Sequence, residues 1–132
     1  MFYSFISSSG EDAGAKKPLS NLASQDLASQ KCEVCVPGTP AIDLARASEL
    51  LAQLDPAWKL EETRIRRRFK FRNFRDALQF ANKIGDLAET EGHHPDLGVG
   101  WGYVKVTLTT HAASGLTDND FIMAAKIDKA HA

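Results

Sequence analysis

The chain has 132 residues and a mass of 14.5 kDa, with 43% hydrophobic and 25% charged residues. That fits one domain able to bury roughly two thirds of its unfolded surface. Sixteen basic against seventeen acidic residues leave a net charge of -1, so no global field selects nucleic acid or an anionic membrane. No apolar run approaches the ~18 residues of a membrane span, and Met1-Phe2-Tyr3-Ser4-Phe5-Ile6 lacks the basic region and long apolar core of a secretory signal. The expectation is a cytoplasmic protein whose function comes from a site.

Residues 1–30 are rich in Ser, Ala and Gly and are read as a disordered extension, leaving a single domain over 31–132. Glu11, Asp12 and Asp26 argue against an acid-poor organelle transit peptide, with the remnant of a targeting segment as the alternative. Cys32-x-x-Cys35 is half of a structural zinc site, and no second cysteine pair completes it. It precedes the first helix in a Pro/Gly-rich segment, unlike a redox motif set between a strand and a helix. Reduced cysteines without catalytic duty are expected, with metal binding as the next reading.

After Pro37-Gly38-Thr39-Pro40, the apolar spacing of Leu44, Ala47, Leu51 and Leu54 predicts a helix, ended by Asp55-Pro56. Trp58 and Leu60, then Ile65, Phe69 and Phe71, alternate with polar residues and predict two antiparallel strands joined near Glu61-Glu62-Thr63. Arg67 interrupts the apolar face. The opposite face carries Arg64, Arg66, Arg68 and Lys70; without interleaved exposed aromatics, it is read as a solvated face or subunit contact and not as a nucleic-acid stripe. Asn73 caps a second helix with Phe74, Ala77, Leu78, Ala81, Ile84 and Ala88 as its core stripe, and Gly92 stops it. Pro95 pushes His94 toward extended geometry, and a short strand follows from Asp96 to Val99. A longer strand is predicted over Trp101 to His111, with Val104, Val106 and Leu108 facing inward and His111 off the buried face. Thr117 caps the last helix, with Asp120 in capping-box position and Leu116 stapling to Phe121. That helix is expected to run to about Lys129, leaving His131 in an inert tail. The sum is an α+β domain of order α-β-β-α-β-β-α, a four-stranded antiparallel sheet with helices packed on one face.

The chemistry concentrates in Glu89-Thr90-Glu91-Gly92-His93-His94-Pro95-Asp96 and in His111. Imidazoles near a carboxylate serve acid/base catalysis or metal ligation. Consecutive side chains in extended chain diverge, so His93 and His94 are poorly disposed to share one ion, which favours metal-free acid/base work. Glu89 falls in the last turn of its helix, where the dipole disfavours a carboxylate, so it either faces solvent or has a partner.

Glu89, His93-His94-Pro95, Trp101, His111 and Asp120, at these spacings, resemble the signature of the pterin-4a-carbinolamine dehydratases (4a-hydroxytetrahydrobiopterin dehydratases). The likeness extends from Cys32 to Lys129 and takes in Phe69-Lys70-Phe71-Arg72-Asn73-Phe74 and Asp120-Phe121-Ile122-Met123-Ala124-Ala125. The resemblance implies a lyase that removes water from a 4a-hydroxytetrahydropterin without metal or organic cofactor, in tetrahydrobiopterin recycling. By resemblance, His93, His94 and His111 form the catalytic set, with Glu89 and Asp120 supporting and Asp96, Trp101 and Thr110 contacting the pterin. Asp120 also has its purely structural reading, as the capping-box acid. The family further implies a homodimer or homotetramer, with no direct nucleic-acid or membrane partner. Leu97 and Asn119 depart from the Trp and Arg of animal members, which touches substrate-edge contacts. The competing class is a non-catalytic binding protein, since some members act as transcription-factor dimerisation cofactors and relatives act as Rubisco assembly factors.

Overall fold

Alternation of apolar and charged side chains builds the sheet. In the computed structural model, which describes residues 27–132, β1 (Lys59–Glu61) and β2 (Arg64–Lys70) form a hairpin closed by a two-residue turn in which Glu62 has a φ of 55°. β3 (Asp96–Gly100) and β4 (Tyr103–Leu108) form a second hairpin, and β2 pairs with β4 to give the antiparallel order β1-β2-β4-β3. Ile65 and Phe69 of β2 and Val104, Val106 and Leu108 of β4 are buried on one side of this sheet.

Three helices complete the order anticipated from the sequence: α1 (Leu44–Leu51), α2 (Phe74–Glu91) and α3 (Asp118–His131). Helix α2 begins where Asn73 accepts a hydrogen bond from Asp76 N–H at 2.7 Å, and ends at Gly92, whose φ of 67° suits glycine. Its buried stripe is Ala77, Phe80, Ile84 and Ala88, and α3 adds Phe121, Ile122, Met123, Ala124 and Ile127. Among the described residues, no helix is long and apolar enough to cross a membrane.

Three local expectations are corrected. Helix α1 stops at Leu51, well short of Pro56, and it buries Ala47 and Leu50 while Leu44 is exposed. Two turns of helix are too short for spacing alone to fix which side is apolar. Strand β4 ends at Leu108; Thr110 bridges to Gly115 and turns the chain, so His111 begins a single 3-10 turn, His111–Ala113, outside the sheet. His131 is in the last turn of α3 rather than in a tail, with its ring 4.9 Å from Phe69, 5.8 Å from Phe71 and 5.3 Å from Phe80. The extension assigned to 1–30 lies outside the described residues up to 26, but Leu27 to Gln30 form a turn with Leu27 buried in the core.

Arg67, the break in the β2 pattern, points into the helical layer. Its guanidinium lies 4.2 Å from the Phe69 ring centre and 2.7 Å from Asp128 of α3, and Trp58 Nε1 donates to the same carboxylate at 2.9 Å. Burial pushes the Asp128 carboxyl above the usual carboxylate range, against the opposing pull of Trp58 and Arg67. A charge that looked like a flaw in the strand ties the sheet to the last helix.

Candidate active site

The site forms where the end of α2 meets the start of α3. At the left-handed Gly92, the N–H groups of Gly92 and His93 both donate to Ala88 C=O, at 2.9 and 3.3 Å, which turns the chain off the helix and sends His93 toward α3. From the other side, Thr117 caps α3 and sets Asp120 in its first turn. The fully buried Asp120 carboxylate accepts from Thr117 N–H at 3.0 Å and from Thr110 O–H at 2.8 Å, and its other oxygen lies 2.6 Å from His93 Nε2. Thr117 Oγ1 is 2.9 Å from Thr110 Oγ1 and completes the chain of donors. A carboxylate already serving two donors can only accept from the imidazole as well, so Nε2 is a hydrogen-bearing nitrogen of the ring. The helix N-terminus adds a favourable field for a carboxylate at Asp120.

His94 goes the opposite way. Its Nε2 is 2.6 Å from Glu89 Oε2, in a pair whose side chains are 59% and 79% exposed, against 11% and 0% for His93 and Asp120. Two successive residues thus form two imidazole–carboxylate pairs, one shielded and one in water. Glu89 meets both sequence expectations at once, since it faces solvent and has a partner. Asp120 is the capping-box acid its spacing predicts, and its carboxylate also contacts His93.

The other predicted residues are distributed unevenly. Thr110 belongs to the Asp120 network, and His111 follows it directly, with an exposed side chain. Asp96 is exposed at the start of β3, opposite Thr107, two residues after His94. Trp101 is 73% exposed in the tip of the β3–β4 hairpin. Asp96↔Thr107 and Gly100↔Tyr103 are opposite ends of that hairpin, so Trp101 is about 15 Å along the strand from the histidines. The structure therefore brings together His93, Asp120 and Thr110, and separately His94 and Glu89, but does not bring Trp101 to them. Thr117 is the member whose second role sequence reasoning missed; its capping-box spacing from Asp120 was the available signal.

The segment before α1 packs against this junction. Cys32 N–H donates to Glu91 Oε1 at 3.0 Å, and the Asn119 amide exchanges hydrogen bonds with the Glu33 backbone at 2.8 and 2.7 Å. Asn119 is thus 5% exposed and holds this segment. The Cys32 N–H bond holds the Glu91 carboxyl below its usual range, opposed by partial desolvation. Burial, then the charge of Glu91, pushes the Cys32 thiol up to about 12, which makes it a poor nucleophile. Both cysteines are free, and among the described residues no group of three or more His, Cys, Asp or Glu is arranged to hold a metal ion.

The family model for pterin 4 alpha carbinolamine dehydratase matches residues 40–130. A protein of Methylococcus capsulatus is 48% identical over 105 residues, covering 78% of this chain and 91% of its own length; one of Aromatoleum aromaticum is 50% identical over 107 residues, covering 80% and 95%. Both carry the provisional name pterin-4-alpha-carbinolamine dehydratase. The crystal structure of a transcriptional coactivator/pterin dehydratase from Brucella melitensis superposes with a TM-score of 0.64 at 33% identity, covering 67% of this chain and 96% of that one. With a family match across most of its length and close relatives at these identities, the chain belongs to the pterin 4 alpha carbinolamine dehydratase family.

Proposed function

We propose that the chain dehydrates a 4a-hydroxytetrahydropterin to a quinonoid dihydropterin and water by imidazole acid/base catalysis. In this reaction a proton is delivered to the departing 4a-hydroxyl and another is removed from N5, so the C4a–O bond breaks as the N5=C4a bond forms. The step requires one imidazole able to give a proton and one able to take it, on either side of a flat heterocycle. The observation that carries the reading is the pair of imidazole–carboxylate contacts on successive residues, His93 with Asp120 and His94 with Glu89, both at 2.6 Å but differing sharply in exposure. Groups of one chemical type in contrasting environments are the usual arrangement for dividing acid and base roles.

In this reading His93, His94 and His111 are the catalytic set, and Asp120 and Glu89 position two of the rings. Asp96 and Thr110 border the pterin. Trp101 is left out of the set within one chain because of its distance along the hairpin. The test is a dehydration assay on purified protein with His93→Ala, His94→Ala and His111→Ala measured in turn. Each replacement is expected to lower turnover by about a hundredfold or more while the circular dichroism spectrum is kept. Parental turnover in all three, or none in the parent, would remove the enzyme reading and leave the binding-protein one.

A further inference from the structure

The side of the sheet away from the helices takes no part in the core, and of the proposed site it carries only Asp96, at one corner. Alternation puts Arg64, Arg66, Arg68 and Lys70 of β2 there, and strand register sets Lys59 of β1 beside Arg66 and Lys105 of β4 beside Arg68. Two carboxylates share the face: Glu61, ion-paired with Arg66 at 2.9 Å, and Asp96 opposite Thr107. A chain of nearly zero net charge therefore has one strongly cationic flat side.

The sequence pattern argued against nucleic acid because β2 has no exposed aromatic among its cations. Strand β4 supplies a half-buried one. Tyr103 pairs with Lys70, and its ring centre lies 4.2 Å from the Arg68 guanidinium. On the other flank Tyr103 pairs with Gly100, where a Cβ would collide with the tyrosine ring, so glycine is what lets the ring lean across β3.

We propose that this face binds single-stranded nucleic acid along its phosphate backbone, with a base stacked on the Arg68–Tyr103 pair. Alternate residues of a strand are about 6.8 Å apart, so β2 presents a straight row of four cations suited to a linear polyanion. The face is flat and offers no helix to fill a duplex groove, while every base of a single strand has a ring face to stack. A second copy of the same face is excluded as occupant by like charge. The face projects no aliphatic side chain, which disfavours insertion into a bilayer.

The test is fluorescence anisotropy of labelled oligo(U) and oligo(dT) titrated with the full chain. Expected is binding whose logarithmic dependence on salt has a slope of about -3, at roughly 0.7 per phosphate neutralised. Arg68→Glu with Lys105→Glu should weaken binding at least tenfold and flatten the slope by about 1.4, with dehydration activity unchanged. If that variant misfolds, Arg68→Gln with Lys105→Gln provides the same comparison. Tyr103→Ala should weaken oligo(U) by about fivefold or more and leave inorganic polyphosphate unaffected. No binding, parental affinity after either double change, or equal binding of phosphatidylserine vesicles or polyphosphate would overturn the proposal.

Discussion

Replacing Asp120 by Asn separates the two roles that its carboxylate holds. The amide keeps one oxygen, enough to go on accepting from Thr117 N–H or Thr110 O–H, but it presents an NH2 where a charged acceptor was. A buried hydrogen bond to a charged group is worth about 1.5–3 kcal/mol, so a loss of about 2 kcal/mol and a Tm fall of about 6 °C are expected. At the site, an NH2 facing His93 Nε2 obliges that nitrogen to accept, which moves the ring hydrogen to Nδ1 and inverts the tautomer. If His93 takes part through Nδ1, kcat should fall about a hundred- to ten-thousandfold with KM changed only a few fold. The contrast is Glu89→Gln, whose exposed pair with His94 should cost under about 0.5 kcal/mol. Urea unfolding and steady-state dehydration on the same preparations measure both effects. A folded Asp120→Asn protein with parental kcat would show that Asp120 is a helix cap only, and the proposed positioning of His93 would be wrong.

Other outcomes follow from contacts elsewhere. His131→Ala, silent on the sequence reading, should lower stability by about 1 kcal/mol through lost ring contacts with Phe69 and Phe80, with kcat unchanged, as read by urea unfolding and assay. Deleting residues 1–30 should lower Tm, since Leu27 is 5% exposed in the core and burying such a side chain is worth about 1.5–3 kcal/mol; an unchanged Tm would show that Leu27 contributes nothing to the folded domain. Glu91 has a lowered folded pKa, so its contribution is present above its unfolded value near 4.5 and is lost as pH falls through the lower, folded one. The stability gap between parent and Glu91→Gln should therefore be largest above about pH 5 and shrink toward acid, and a gap that widened toward acid would contradict the cause assigned to the shift. Dialysis against chelator should leave dehydration intact, because the proposed proton transfers use imidazoles; loss restored by zinc would return Cys32 and Cys35 to consideration as ligands.

Local chemistry was legible in the sequence and distant pairing was not. Asn73, Gly92 and Thr117 mark helix ends through contacts with residues at most four positions away, so both ends of α2 and the start of α3 could be read from residue type alone. The strand periods were equally plain, because Val104, Val106 and Leu108 are apolar every second residue and Ile65 and Phe69 keep that period around the break at Arg67. Period two gives no stopping signal, however. Thr109, Thr110 and His111 continue a polar-tolerant pattern, and only the Thr110–Gly115 bridge, a local turn that the period does not announce, ends β4 at Leu108. Similarly, His131 has no pattern to declare it, since its aromatic neighbours come from β2 and α2.

The site shows the same division more sharply. Spacing in the sequence collects Glu89, His93, His94, His111 and Asp120 but cannot say which carboxylate meets which imidazole, because His93 and Asp120 are 27 residues apart. The pairing is decided by the reversal at Gly92, which turns His93 toward α3 while the extended chain before Pro95 sends His94 back to Glu89. Once that is fixed, Asp120 cannot be assigned to fold or to function alone. Its carboxylate completes the α3 cap with one oxygen and meets the imidazole with the other, so the fold's own capping bonds orient the histidine. A chain that had lost this cap would therefore lose the ring orientation with it, which is why the sequence offsets among these residues carried so much of the reading.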